Sequence, residues 1–242
     1  MTVAFYGEDL AYTHFAGFGE IAAQAAQRLL DELGKAKNTN GVIVELGCGP
    51  GITAAKLIAA KYDVVGVDIS PQMLELAHAN APRGQFTLGS WADFEIPPCD
   101  AVIAISEVLN YMDAGTTLKT IERTFGRVFK ALWPGGIFMF DMAGPGRLPD
   151  HAEHTSTYVG DDWATIVTAV EDRKGVLTRD ITTMRKVKGG IRISEERHKQ
   201  RLVASTKVQE MLRKAGFRVR VAQGYAGERA FPGHSVFIAR RP

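Results

Sequence analysis

The sequence predicts an α/β fold: a doubly wound, mostly parallel seven-stranded sheet with an antiparallel β insertion before the last helix. Three observations predict it. Short β-branched apolar runs alternate with alanine- and leucine-rich helical stretches between residues 17 and 142. The runs are apolar at consecutive positions, as strands buried on both faces are. The alternation then breaks into a β-rich stretch over about 155–203 and resumes after it.

The elements follow in order. Residues 17–34 read as a helix, with Ile21, Ala25, Leu29 and Leu33 at i+4 steps and Gly34 at its end. The run 41–46 is a first buried strand, 52–61 a helix, and 63–69 a second strand. Ser70-Pro71 supplies an N-cap and a proline at the first helical position, so a helix runs to about Asn80. Residues 85–88 and 101–105 are further strands, and 114–132 a helix. Trp133-Pro-Gly-Gly136 is read as a turn into a strand over 137–142. Within 155–203, turn signals at 173–175 and 188–190 divide an antiparallel meander. A helix over 205–215, closed by Gly216, and strands over 217–221 and 235–239 complete the sheet.

The chain is read as a single domain, with an N-terminal helical cover over 1–35 and an insertion over 150–204. At 242 residues it is long enough to bury one large core. Its 45% hydrophobic and 23% charged residues are ordinary globular composition, which excludes collagen-like and wholly disordered chains. No run approaches the roughly 18 apolar residues of a membrane span. The first residues lack the basic region and apolar block of a secretory signal. Two cysteines make no disulfide framework, and no His/Cys cluster has metal-ligand spacing. A cytoplasmic setting without a metal is therefore expected.

Charge is unevenly spread. Residues 171–242 carry 18 basic and 7 acidic residues, and residues 1–170 carry 11 basic and 20 acidic ones. Such a split raises the question of nucleic acid. Against it stand the absence of an RNP-type aromatic motif and of a long Lys/Arg tract.

The chemistry concentrates in Glu45-Leu-Gly47-Cys48-Gly49-Pro-Gly51, between the first strand and its helix. Glycines there let backbone approach a ligand closely, at the sheet edge where open α/β folds bind ligands. The turn ends Gly51-Ile-Thr53 without the lysine of a P-loop, which disfavours a nucleoside triphosphate. The dinucleotide spacing G-x-G-x-x-G/A fails at Ile52. An acidic head suits a cationic or zwitterionic ligand better than a pyrophosphate.

Four motifs in order make the chain resemble the class I S-adenosylmethionine-dependent methyltransferases, of the small-molecule type. They are the glycine turn, Val65-Gly-Val-Asp68-Ile-Ser-Pro, Leu132-Trp-Pro-Gly-Gly-Ile-Phe-Met-Phe-Asp141, and Ala215-Gly-Phe217. The resemblance is specific over about 40–142 and weaker over 205–240. It implies a Rossmann-like fold and S-adenosyl-L-methionine as cofactor. By the same resemblance Asp68 would accept both ribose hydroxyls, with helix capping as its alternative role. Gly47, Cys48, Gly49 and Gly51 would pass under the ribose and methionine part. Glu45 would face the cofactor's amino group or make a structural hydrogen bond. Ile69 and Met73 would flank the adenine.

The chain departs from many relatives after Gly89, where Ser90 stands in place of an acid that binds the adenine amino group. Ser90 and Trp91 are taken as its substitutes, with core packing as the other reading for Trp91. Ser106 and Glu107 are expected near the sulfonium, or as loop and capping residues, and Tyr111 near the acceptor. The segment lacks the Asn/Asp-Pro-Pro-Tyr/Phe signature of methyltransferases acting on adenine or glutamine amines.

The insertion resembles the substrate-covering sheet of small-molecule and sugar N-methyltransferases. In its last strand Glu196, His198 and Gln200 share one face, and Arg197, Lys199 and Arg201 the other. His198 is the candidate base over the acceptor, since histidine titrates near neutral pH, with a plain surface role as its alternative. Tyr12 and its neighbours His14, Phe15 and Phe18 would close over the cofactor by cation–π contact, or simply dock the first helix. Methyl transfer to N or O of a small molecule is the expectation. A nucleic-acid methyltransferase and a non-catalytic S-adenosylmethionine-binding protein are the alternatives. No membrane partner is expected, and monomer and homodimer stay open. If the basic face of the last insertion strand met the cleft, an anionic acceptor would follow.

Overall fold

The structure, a computed structural model, describes residues 5–35, 40–112, 116–227 and 231–242. Seven strands form the main sheet: β1 (Gly41–Leu46), β2 (Tyr62–Asp68), β3 (Gln85–Leu88), β4 (Cys99–Ala104), β5 (Leu132–Ala143), β10 (Arg218–Ala222) and β11 (His234–Arg240). Their order is β10-β11-β5-β4-β1-β2-β3. Strands β1 to β5 pair in parallel, and β11 is antiparallel to both its neighbours. The strand order reverses between β1 and β4, which opens a crevice at their carboxyl ends.

The consecutive apolar runs are buried on both faces: Ile43, Val44 and Leu46 of β1 and Ala101, Val102 and Ile103 of β4 are closed to solvent. Helices α2 (Glu20–Lys35) and α3 (Ile52–Ala59) cover one face with Leu29, Leu33, Ala54 and Leu57. Helices α5 (Leu118–Ala131) and α6 (Ser205–Lys214) cover the other with Phe125, Val128, Val208 and Leu212. Helix α4 (Pro71–Asn80) starts where Ser70 Oγ accepts the Met73 N–H at 3.1 Å, as its sequence dictates.

The insertion is a separate four-stranded antiparallel sheet: β6 (His154–Val159), β7 (Trp163–Glu171), β8 (Val176–Val187) and β9 (Gly190–Arg201). It is tied to the main domain by a Tyr111–Gln200 bridge and by Met112 N–H donating to Lys199 O. Among the described residues, no helix is long and apolar enough to cross a membrane.

Three expectations change. The helix expected over 17–34 is α2, which begins only at Glu20, and a further helix, α1 (Glu8–Gly17), precedes it where none was expected. A Cβ at Gly17 would stand 2.5 Å from the Trp163 ring, so α1 ends where the insertion packs against it. Trp133-Pro-Gly-Gly136 is the opening of β5, because Gly135 and Gly136 pair with Arg241. Helix α5 begins at Leu118 behind a Thr117–Thr120 capping box, while 113–115 lie outside the described residues.

The charge split is knitted across the fold. Arg192 pairs with Glu8 and Asp9, Arg220 and Arg240 with Glu32, and Lys214 with Glu122. Part of the basic final third is thus paired with acids from residues 1–170.

Candidate functional site

The crevice is built first by backbone. Gly47, Gly49 and Gly51 have φ of 69°, 50° and 76°, a region that glycine enters without a Cβ penalty. A Cβ on Gly51 would lie 2.9 Å from Ala77 Cα, so the turn is pressed onto α4. A Cβ on Gly49 would meet nothing within 4 Å and would project into open space. That is the arrangement for a ligand resting on backbone.

Asp68 closes β2 at the cleft. Its carboxylate accepts the Gly49 N–H at 2.8 Å on Oδ2 and the Ser70 N–H at 2.9 Å on Oδ1. Asp68 thus ties the glycine turn to the start of α4, and it lines the cleft. Glu45 is buried at the end of β1. Burial pushes its carboxyl up to about 8, against the pull of the Thr53 hydroxyl and with the push of Asp68. Its Oε2 is closed off without a hydrogen-bond partner. Such an orphaned acceptor costs roughly 1–3 kcal/mol unless something donates to it.

Ile69, Met73, Ser90 and Trp91 line the same cleft, as does Cys48, whose thiol is buried. Ser90 Oγ accepts the Ala92 N–H, which spends part of it on the turn. Trp91 is both core and lining, and its Nε1 is buried without a partner. Asp93 is exposed and pairs with Arg123 at 3.3 Å.

The opposite wall is the end of β4. Ser106 and Glu107 have φ of 68° and 60°, a strained pair of non-glycine residues. Their N–H groups both donate to the Asp141 carboxylate, at 2.8 and 3.2 Å. Asp141 also accepts from the Tyr225 hydroxyl at 2.9 Å and meets His234 Nε2 at 2.8 Å. Burial works against the His234 charge, yet the bond to Asp141 raises its pKa. Glu107 ion-pairs with Arg147 at 2.9 Å and Arg179 at 3.2 Å. Burial opposes its charge, and the two guanidiniums hold it below the usual carboxylate range. Sequence reasoning missed Asp141 as a hub and found no partner for His234. The signal lay in pairing β11 antiparallel to β5, which sets His234 opposite Ala143.

The insertion's cleft face supplies the last wall. Glu196, His198 and Gln200 are buried toward the cleft, while Arg197 and Lys199 are exposed. The basic face of β9 thus points away, and the anionic acceptor inferred from it loses that support. His198 Nε2 lies 2.9 Å from Glu196 Oε2. Glu196 also accepts the N–H groups of Tyr6 and Gly7, and the Phe5 ring lies over His198 at 4.5 Å. Tyr111 stands beside His198, its hydroxyl 3.0 Å from that of Tyr6.

Tyr12 corrects the sequence reading. It does not line the cleft, because its hydroxyl donates to Asp162 and Arg185 stacks on its ring at 3.6 Å. Two residues along a helix point to different faces. His14, two positions on, lines the cleft, and burial followed by the His198 charge pulls its pKa down to about 4. Tyr6 takes the aromatic place expected of Tyr12.

Two adjoining cavities result. One is lined by the glycine turn, Glu45, Asp68, Met73 and Trp91, the other by Glu107, Asp141, Arg147, Arg179 and His198. Tyr6, His14, Ser106 and Tyr111 line both and mark where the cavities meet.

With this geometry in hand, the comparisons agree on one fold. The methyltransferase-domain family matches residues 43–136. A trans-aconitate 2-methyltransferase of Methylobacterium radiotolerans is 33% identical over 127 residues, 51% of this chain and 46% of that protein. The chain thus spans about half the length of that curated relative. The crystal structure of an S-adenosylmethionine-dependent methyltransferase from Clostridium acetobutylicum matches with a TM-score of 0.81 at 15% identity, covering 95% of this chain and 98% of the other. A sugar N-methyltransferase from a Streptoalloteichus species matches with a TM-score of 0.77 at 18% identity, covering 100% and 97%.

Proposed function

We propose that the chain is a class I S-adenosylmethionine-dependent methyltransferase, supported by the methyltransferase-domain match and the structural neighbours, and that it methylates an N or O atom of a small molecule. The observation that carries this reading is the pair of cavities meeting at Tyr6, His14, Ser106 and Tyr111. Transfer between two molecules needs such a junction. The first cavity fits the cofactor on its own chemistry. It offers the unpartnered Glu45 Oε2 for an ammonium group, the Asp68 carboxylate for ribose hydroxyls, and open space over Gly49 for the chain between them. Ile69, Met73 and Trp91 supply apolar surface for an adenine.

When bound, S-adenosylmethionine supplies a methyl group already activated on a sulfonium, so the protein's work is position and exclusion of water. Phe5, Tyr6 and the cleft face of the insertion close the site. Glu196 orients His198, which takes the acceptor's proton where the acceptor must lose one. Tyr111 positions the acceptor at the junction. The N-terminal helices and the insertion act as covers of one methyltransferase domain. Trans-aconitate and sugars, the acceptors named for several of the relatives and structural neighbours, are small molecules.

Calorimetric titration with S-adenosylmethionine, with NAD as control, tests the cofactor half. A saturable 1:1 isotherm for the first and none for the second is expected, and the reverse refutes it. Release of S-adenosylhomocysteine in the presence of small-metabolite pools tests the rest. Binding without release from any pool favours a non-catalytic binder.

A further inference from the structure

We propose that Arg147 and Arg179 form an oxyanion subsite in the second cavity that takes a carboxylate or phosphate group of the methyl acceptor. The proposal rests on the methyltransferase reading of the same cleft and names the acceptor's chemistry.

Arg147 comes from the loop after β5 and Arg179 from the cleft face of β8. Both line the cavity, and their side chains are only 10% and 20% exposed. They share one carboxylate, Arg147 Nη2 lying 2.9 Å from Glu107 Oε1 and Arg179 Nη2 3.2 Å from Oε2. Arg147 also rests its guanidinium 4.2 Å over the Phe231 ring, which fixes its plane at the cavity wall.

Hydrogen-bond capacity decides what such a cavity can hold. Asp141 is occupied by two backbone N–H groups, Tyr225 and His234. Glu107 Oε2 accepts from Arg179 and Gln200 Nε2, and Oε1 meets Arg147 as an ion pair without a hydrogen-bond donor of its own. Glu196 is occupied by Tyr6, Gly7 and His198. The carboxylates here are thus largely engaged by donors and cations of the chain itself.

The guanidiniums are in the opposite position. Each carries five N–H donors. Arg179 donates to Glu107 and Gln200, and Arg147 contacts Glu107 and donates to Pro232 O. The donor fork of a guanidinium suits a partner rich in acceptors.

Charge gives the same sign. Among the described residues lining the cavity, Asp141 is matched by His234, and Glu107 answers two arginines. Two guanidiniums thus share Glu107 at the cavity wall, where a planar oxyanion can meet such a fork in two parallel bonds. Burial, together with Arg179 nearby, already lowers the Arg147 pKa despite Glu107.

The test uses the full chain saturated with S-adenosylhomocysteine. Citrate, inorganic phosphate and glucosamine are titrated in separately by calorimetry. The expected result is saturable binding of citrate, of phosphate or of both, weakened by added sodium chloride and absent for glucosamine. Citrate alone marks a carboxylate site, and phosphate alone a phosphate site. Arg147→Gln and Arg179→Gln each weaken that binding by about tenfold or more, while S-adenosylhomocysteine still binds. Arg179→Lys, which keeps the charge but not the fork, retains part of it. No saturable binding of either anion, unchanged affinity in both glutamine variants, or preference for glucosamine overturns the proposal. If a variant does not fold, the anion-over-glucosamine preference and the salt dependence of the unaltered protein decide. Failure of S-adenosylhomocysteine itself to bind removes the methyltransferase reading and this one with it. Failure of the anions alone removes only the subsite.

Discussion

Glu196 Oε2 sits 2.9 Å from His198 Nε2 and also accepts the Tyr6 N–H at 2.7 Å. One buried carboxylate therefore holds both the candidate base and the strap that precedes α1. Its other oxygen takes the Gly7 N–H at 2.8 Å. The ring is oriented by a partner on its own strand, two residues away and on the same face.

That relationship predicts a kinetic split. His198→Gln combined with Tyr111→Phe lowers methyl transfer into a metabolite extract by about 10²–10⁴-fold, the range of general-base catalysis. Affinity for S-adenosylhomocysteine, measured by calorimetry, stays close to that of the unaltered protein. Intact turnover in the double variant places the acceptor elsewhere.

Asp68→Ala removes the carboxylate that closes β2. Hydrogen bonds to charged groups contribute about 1.5–3 kcal/mol, so S-adenosylhomocysteine affinity falls by roughly 10–100-fold. Calorimetry checks it, and unchanged affinity removes the ribose role.

Glu45 predicts a pH dependence. Its carboxyl, raised to about 8 by burial, is protonated at neutral pH in the free protein. An ammonium ligand favours the charged form, so cofactor binding releases a proton, and affinity rises with pH until about 8. Glu45→Gln flattens that dependence. The same shift acts on stability: it favours the fold fully below the ordinary value of 4.5 and is lost as pH rises through about 8. Melting of the ligand-free variant should therefore fall less over that window than melting of the unaltered protein.

The turn glycines separate packing from binding. Gly51→Ala drives a Cβ to 2.9 Å from Ala77 Cα at a φ of 76°. That lowers stability by about 1–3 kcal/mol. Gly49→Ala meets only open space, so about 1–2 kcal/mol of left-handed strain is its folding cost, and its larger effect is on ligand affinity. Thermal melts and calorimetry on both variants read the two effects apart.

The alternation of strands and helices, the Ser70 cap and the glycine turn are local patterns, and the sequence carries them openly. The face of β9 that turns inward also follows from alternation once His198 and Glu196 are seen to share it. What sequence could not show lies in contacts between distant segments. His234 meets Asp141 across 93 positions, and Gly7 meets Glu196 across 189. The position of Tyr12 depends on α1, whose start Gly7-Glu8-Asp9 carries the acidic first turn of a helix. With α1 drawn, Tyr12 turns to Asp162 on the insertion, and His14 to the cleft.

The most direct test of a small-molecule methyltransferase is transfer of label from methyl-labelled S-adenosylmethionine in a cell extract split into small metabolites, RNA and protein. The account predicts label in the small-metabolite fraction, dependent on Asp68. Label confined to RNA or protein, or none anywhere while the cofactor binds, contradicts it.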